Sequence, residues 1–297
     1  MTMAAFRLSV FLPEATRRDA AFGQTGFANS DAVESICYVK TAKYLHQANA
    51  NAAIAAVITG PDLADQVDPA KGLAVVDDPE RAFYELHNRL FLEHGMAPEM
   101  TFGVVPGARV HTTAVVSEKC YIADGAEVGP GAVIEPYSFV GPGVMVGPGA
   151  VIGACGHNSK KFDGRMFRVA HAGGVRLEEG VQVLAGAVIS KAVHTDMTTV
   201  GKGTVVSVRA HIGHGCRTGR NCIIAGGAQV SGYTTLGDNV WVGPGAVIGN
   251  LLSIGADARI ELGSAVVRDV GPGEVVSGNF AYSHVRHVRD HAAKLSK

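Results

Sequence analysis

The chain carries a hydrophobic beat of six residues. Branched aliphatics stand at Val104, Val110, Val116, Ile122, Val128, Ile134, Val140, Val146 and Ile152. The beat returns at Val200, Val206 and Ile212 and runs through Ile224, Val230, Leu236, Val242, Ile248, Ile254 and Ile260 to Val266, with Thr218 its one polar interruption. Four residues after most of the early aliphatics sits a small side chain, as at Ala108, Ala114, Cys120, Ala126 and Ala132. A period of six matches neither an amphipathic helix nor a simple alternating strand. It fits short strands joined by turns, three to a coil, with glycine supplying special turn dihedrals. Three hexads then close one turn of a triangular prism, and residues i and i+18 stack roughly 4.8 Å apart. The expected fold is mainly β: a parallel β-helix over residues 101–278, its aliphatics pointing inward.

The register slips twice. Ile152 to Leu177 is 25 residues, one more than four hexads, and the intervening GACGHNSKKFDGRMF is polar and off-pattern. That segment reads as an excursion loop. A second slip of one residue falls around SKAVHTDMT, between Ile189 and Val200. Loops that leave a regular scaffold commonly build sites, and a tolerated insertion is the alternative.

Residues 1–100 lack the repeat. ICYVK, AAIAAVIT and GLAVVDD read as strands, TAKYLHQANAN and PERAFYELHNRLFLEHG as helices, giving a small α/β domain after a loosely ordered start. Residues 279–297 read as a C-terminal helix with an apolar stripe of Val285, Val288, Ala292 and Leu295. Its cations Arg286, Arg289 and Lys294 make either a solvated face or a dock for an acidic partner such as acyl carrier protein.

Composition narrows the classes. Hydrophobic residues are 47% of 297, aromatics 6%, and glycine numbers 38, which suits a core of small stacked side chains. A net charge of −1 provides no global field for nucleic acid or an anionic membrane. Five cysteines with no CxxC pair argue against a disulfide framework or a cysteine-built zinc site. The opening residues make a poor signal peptide and no apolar run approaches 18, so no transmembrane segment and a cytoplasmic location are expected.

Coil geometry then selects among twelve histidines. With Ile212 inward, His211 and His214 both project outward, either into solvent or into a cleft between subunits. One coil above His214 is Gly232, a residue without a side chain whose backbone N–H can reach the surface. An imidazole beside such a donor suits acyl transfer: the ring takes a proton from the attacking amine or hydroxyl, and the N–H stabilises the oxyanion. One coil below is Asp196, a possible orienting carboxylate. The rival is a zinc site of the kind found in gamma-class carbonic anhydrases, with His211, His214 and His171 as nearest ligands, although their spacing does not match that family's. His157, His194 and the C-terminal histidines read as surface residues.

The segment AHIGHGCRTGRNCIIAGGAQVSG resembles the catalytic segment of the lipid A acyltransferases. The order of N-terminal domain, prism and C-terminal helix, with SICYVKTAKYL and LAVVDDPERAFYEL, is similar to the UDP-3-O-acylglucosamine N-acyltransferase family. That resemblance covers roughly residues 30–280 and implies a left-handed prism, His214 as general base, Gly232 as oxyanion donor, and a homotrimer with sites in the clefts between prisms. It makes residues 1–100 a uridine-binding domain in which Tyr38 and Tyr44 sandwich the base, with Thr41 between them and His211 beside the substrate. The reaction implied is transfer of an acyl group, a 3-hydroxyacyl group in that family, to the amine of a UDP-linked amino sugar. The donor would be an acyl-carrier-protein or coenzyme A thioester, with no other cofactor. Two positions depart from the family: Thr41 replaces an asparagine, and Leu251 stands where a second histidine lies near the sugar-phosphate. The alternative acceptor is a dTDP- or UDP-linked amino-deoxysugar of a surface polysaccharide.

Overall fold

The protein is described here by a computed structural model covering residues 6–278 and 283–295. Three parallel sheets of eight, eight and nine strands wrap a single core, and away from the excursion hairpin and the last coil each strand pairs with the strand three later in the chain. Tyr121 pairs with Phe139, Glu127 with Met145 and Val133 with Val151, an offset of 18 on every face. This is the parallel β-helix that the repeat predicts, of the left-handed kind that the family resemblance implies. Its core is the inward column, with Ile122, Val140, Ile152, Ile212 and Ile248 essentially inaccessible. Thr218 keeps its place in that column because its hydroxyl accepts a hydrogen bond from the Gly201 N–H at 3.0 Å. At the first coil no strand among the described residues lies beneath, and Val104 and Val110 stay exposed.

The two slips are larger than the sequence suggests. Val140 pairs with Leu177, 37 residues on, so the excursion adds 19 residues to a coil. Ile189 pairs with Ile212, 23 residues on, so the second insertion adds five. Nineteen and five each lie one residue from a multiple of six, so both leave only a one-residue shift in the hydrophobic beat. Within the excursion, Ser159–Phe162 and Arg165–Arg168 form an antiparallel hairpin. Its turn residues Asp163 (φ 49°) and Gly164 (φ 76°) have the positive φ values that a two-residue hairpin favours.

The N-terminal unit is a five-stranded sheet in the order Thr16–Arg18, Gly72–Val75, Ile54–Thr59, Ser35–Val39, Gln24–Thr25. The last four strands run parallel and the first is antiparallel. The helix Pro79–His94 starts on Asp78, whose carboxylate accepts the Arg81 N–H, and stops at Gly95 with φ 69°. From Phe6 on, the segment expected to be loosely ordered is part of the fold. Phe6–Arg7 pairs with Ala21–Phe22, and Leu8 and Phe22 are fully buried.

This unit packs directly on the prism's insertions. Val169, Ala172 and Val193 join Phe22, Ile36 and Phe83 in one apolar cluster. Polar contacts cross the same seam: Asn88 bonds both the Arg168 carbonyl and the Ala170 N–H, and Lys160 pairs with Glu80 at 2.8 Å. At its centre Thr25 Oγ1 lies 2.7 Å from His87 Nδ1 and 3.1 Å from His194 Nδ1. His194 is therefore a buried residue, correcting its assignment to the surface, because the five-residue insertion carries it under the N-terminal unit.

Burial pushes His87 and His171 down to about 4 and His194 well below its ordinary value. All three are held neutral, so the stability they permit is complete above about pH 6.5 and lost as pH falls towards 4. The expected outcome is a drop in the urea midpoint, equivalent to about 1 kcal/mol or more, between pH 7 and 5. A midpoint flat over that range, followed by circular dichroism, would contradict the burial of these rings.

The prism ends on the strand Val275–Val276, followed by the helix His284–Leu295. Val285, Val288, Arg289, Ala292 and Lys294 are exposed on it; the Leu295 side chain, the last of the anticipated stripe, lies outside what is described. Among the described residues no helix is long and apolar enough to cross a membrane.

Candidate active site

His214 occupies the turn after the inward Ile212, and Gly232 the same position one coil on, since His211 pairs with Gln229 and Ile212 with Val230. The imidazole lies flat against Gly232. A Cβ built there would sit 2.4 Å from His214 Nε2 and 2.7 Å from its Cε1, so only glycine admits the ring in this position. Gly213 makes the matching allowance below, where a Cβ would come within 2.7 Å of the Gly232 nitrogen. Among the described residues the Gly232 N–H has no hydrogen-bond acceptor.

The other edge of the ring meets the excursion loop. A point beside Gly156, where a side chain would begin, is 3.0 Å from His214 Nδ1, 3.5 Å from His171 Nε2 and 3.5 Å from Ser190 Oγ. His214 is thus held between two glycines, Gly156 and Gly232, from segments 76 residues apart in the chain. His171 stands perpendicular to it, with ring centroids 5.7 Å apart, and Tyr233 closes the far side at 5.4 Å. The half-buried state of His214 therefore arises within one chain, from the loop, without a second subunit. Burial holds its pKa below the ordinary value, reinforced by the charges of His211 and His157. A neutral ring lying over Gly232, with Nε2 its nearest atom, can accept a proton at Nε2 in the ring plane; the ring proton then resides on Nδ1, on the side of Gly156. His211 lies beside this group, bonded to Ser190 Oγ through Nε2 at 3.1 Å, and burial lowers its pKa as well.

Asp196 does not orient His214. Among the described residues no hydrogen bond joins them, and the carboxylate instead lines a cavity of about 260 Å³ between the prism and the loop carrying Phe27 and Asp31. The five-residue insertion just before Asp196 is tucked under the N-terminal unit, which turns this coil corner towards the seam. Burial raises the Asp196 pKa to about 6, against the opposing pull of Arg217.

Tyr38, Thr41 and Tyr44 sit apart from this group. The Tyr38 ring packs on Phe83 and Tyr84, 5.0 and 5.7 Å away, and its hydroxyl donates to Glu80. Burial, chiefly, pushes that phenol's pKa up. Tyr44 is 51% exposed on the helix Ala42–Ala50, and Thr41 precedes that helix without a side-chain capping bond. No ring contact joins the two tyrosines among the described residues. Nor, among those residues, do three His, Cys, Asp or Glu side chains converge as a metal site, so the pairing of His171 with His214 lacks a third ligand. The sequence reading missed Gly156, Ser190 and Tyr233. Only Tyr233 was within reach of coil spacing, because Gly156 arrives on an insertion that no periodicity locates.

No protein-family profile matches the chain. A stretch of 120 residues, 40% of the chain, is 34% identical to UDP-3-O-acylglucosamine N-acyltransferase of Caulobacter sp. (strain K31), covering 35% of that protein. A stretch of 88 residues, 30% of the chain, is 34% identical to the acyl-[acyl-carrier-protein]–UDP-N-acetylglucosamine O-acyltransferase of Burkholderia orbicola (strain MC0-3), covering 34% of it. The chain thus spans about a third of the length of the curated relatives it matches. Among solved structures, UDP-N-acetylglucosamine acyltransferase from Campylobacter jejuni aligns over 65% of this chain and 82% of that one, with a TM-score of 0.48 and 21% identity.

Proposed function

We propose that this protein is an acyltransferase that moves an acyl group, of the 3-hydroxyacyl type, from a thioester to the amine of a UDP-linked amino sugar. The observation that carries the reading is the His214 ring seated on Gly232, where a Cβ would lie 2.4 Å from Nε2. That contact puts a neutral base beside a backbone N–H in a partly desolvated corner. The amine nitrogen attacks the thioester carbonyl and His214 Nε2 takes its proton. The carbonyl oxygen becomes an oxyanion, stabilised by the Gly232 N–H. The C–S bond then breaks, the thiolate receives the proton from His214, and amide and free thiol leave. Sequence similarity to two acyltransferases of UDP-linked glucosamine derivatives supports the acceptor class.

The donor is acyl carrier protein or coenzyme A, and the exposed cations Arg289 and Lys294 of the C-terminal helix suit the acidic surface of the former. The sites of a homotrimer would lie in the clefts between prisms. A second acceptor, a dTDP- or UDP-linked amino-deoxysugar, is favoured by one specific feature: Leu251 puts an apolar side chain where a polar anchor for the sugar-phosphate would be needed, and it is 66% exposed.

The test is a matrix of acyl-carrier-protein and coenzyme A thioesters against UDP- and dTDP-amino sugars, reading free thiol. Thiol release that requires both a donor and an amino sugar is the expected result. Release with no acceptor dependence, or none with any pair, would overturn the proposal.

A further inference from the structure

The cavity at the seam between the two units is not explained by acyl transfer at His214. His214 does not line it, and its polar walls are unsatisfied. Asp196 Oδ1 is buried with no hydrogen-bond partner among the described residues, and Tyr233 Oη, near the backbone N–H groups of Val193 and His194, has none of normal geometry. Leaving such groups unpaired in the native state is costly, and their usual explanation is a ligand or solvent that completes them. The charge balance says which kind. Two carboxylates, Asp31 and Asp196, face one guanidinium, Arg217, and Arg217 is already committed to both Asp31 oxygens at 3.0 and 3.2 Å. His194, at the back, is held neutral. An anion would meet the Asp196 carboxylate, only partly offset by Arg217, whereas a cation would neutralise it. The remaining walls include the rings of Phe27 and Tyr233, edge-to-face with centroids 4.8 Å apart, which give the cavity an aromatic side.

We infer that this cavity is a subsite for a protonated primary amine on a small polar ligand, with Asp196 accepting from the ammonium and Tyr233 Oη completing its shell. Its volume, about 260 Å³, is near the lower end of small-molecule pockets and suits a group of single-sugar size. His214 does not line the cavity, although Tyr233, which does, packs on the His214 ring, and Leu251, at the sugar-phosphate end of the proposed acceptor site, is also in its wall. The ligand is either a separate amino sugar or a second, non-reacting amine of the acceptor. Only that last identification rests on the function proposed above.

Calorimetric titration of the full chain at pH 7.5 tests this, with glucosamine as the cationic probe and N-acetylglucosamine as its neutral counterpart. Glucosamine is expected to bind about tenfold tighter, the scale of one charge-assisted hydrogen bond. Asp196→Asn should reduce that preference to within about twofold, and Tyr233→Phe should weaken glucosamine binding about threefold. His214→Ala should leave the preference intact, which separates this inference from the catalytic one. Asp196→Asn is also expected to melt higher than the wild type at pH 8, since it removes a buried charge; if it does not fold, Tyr233→Phe carries the test. Equal binding of the two sugars by the wild type, competition by inorganic phosphate, or an undiminished preference in Asp196→Asn would overturn the inference. A UDP-linked diamino sugar that binds tighter than its monoamino analogue, with the gain lost in Asp196→Asn, would identify the ligand as the acceptor. No such gain would make it a separate amino sugar.

Discussion

Replacing His214 by alanine is expected to lower thiol release by about three orders of magnitude, within the usual range for loss of a general base. The ring fills the space between Gly156 and Gly232 and makes no hydrogen bond among the described residues that holds the fold. Its removal should therefore spare the prism, and the melting temperature should shift little. The loss should fall on kcat with KM nearly unchanged, since the ring acts on a proton in flight. In the wild type, activity should fall on the acid side through a pKa below the ordinary histidine value, because burial and the neighbouring histidines disfavour the charged ring. Activity above about a tenth of wild type in the alanine variant would remove His214 from the role of base.

Gly232→Ala is expected to cost about two orders of magnitude in kcat, within the range for a displaced general base, since the backbone N–H itself is kept. The added methyl would start 2.4 Å from His214 Nε2, so the ring has to leave its seat. Gly226 provides the control. It occupies the same position of its own hexad, and a Cβ there meets nothing nearer than the Val208 carbonyl at 3.5 Å. Gly226→Ala should retain near-normal turnover. Equal losses in the two variants would mean that general disturbance of the coil, rather than the His214–Gly232 contact, limits the rate.

The prism and the His214–Gly232 contact could both be read from the sequence, because an 18-residue coil converts spacing into stacking. The same arithmetic failed wherever the chain left the coil. A 19-residue excursion and a five-residue insertion each look like a one-residue slip, so nothing in the beat announced that Gly156 and His171 would return to flank His214. Asp196 stands one coil below His214 in number, yet its carboxylate faces the seam, since side-chain direction there is set by the N-terminal unit. His194 was misread for a related reason. A polar residue on an irregular segment has no periodicity to mark it as inside, and its burial depends on Thr25, 169 residues earlier. The ordered start was hidden because its strands are two or three residues long, too short to show alternation.

The two insertions leave and re-enter the prism with the sheets on either side still in phase: Val140 meets Leu177 and Ile189 meets Ile212 as if nothing lay between. Ladder pairing is therefore indifferent to how much chain is spent outside it. Such a scaffold separates two kinds of variation. Changes inside a coil disturb every layer above, whereas a loop can lengthen, shorten or be exchanged without moving a single rung. In this protein the loop forms both one wall of the His214 site and the bed of the N-terminal unit. Substrate preference and the seating of that unit can thus change together, by altering one segment, while His214 and Gly232 keep their places on adjacent coils.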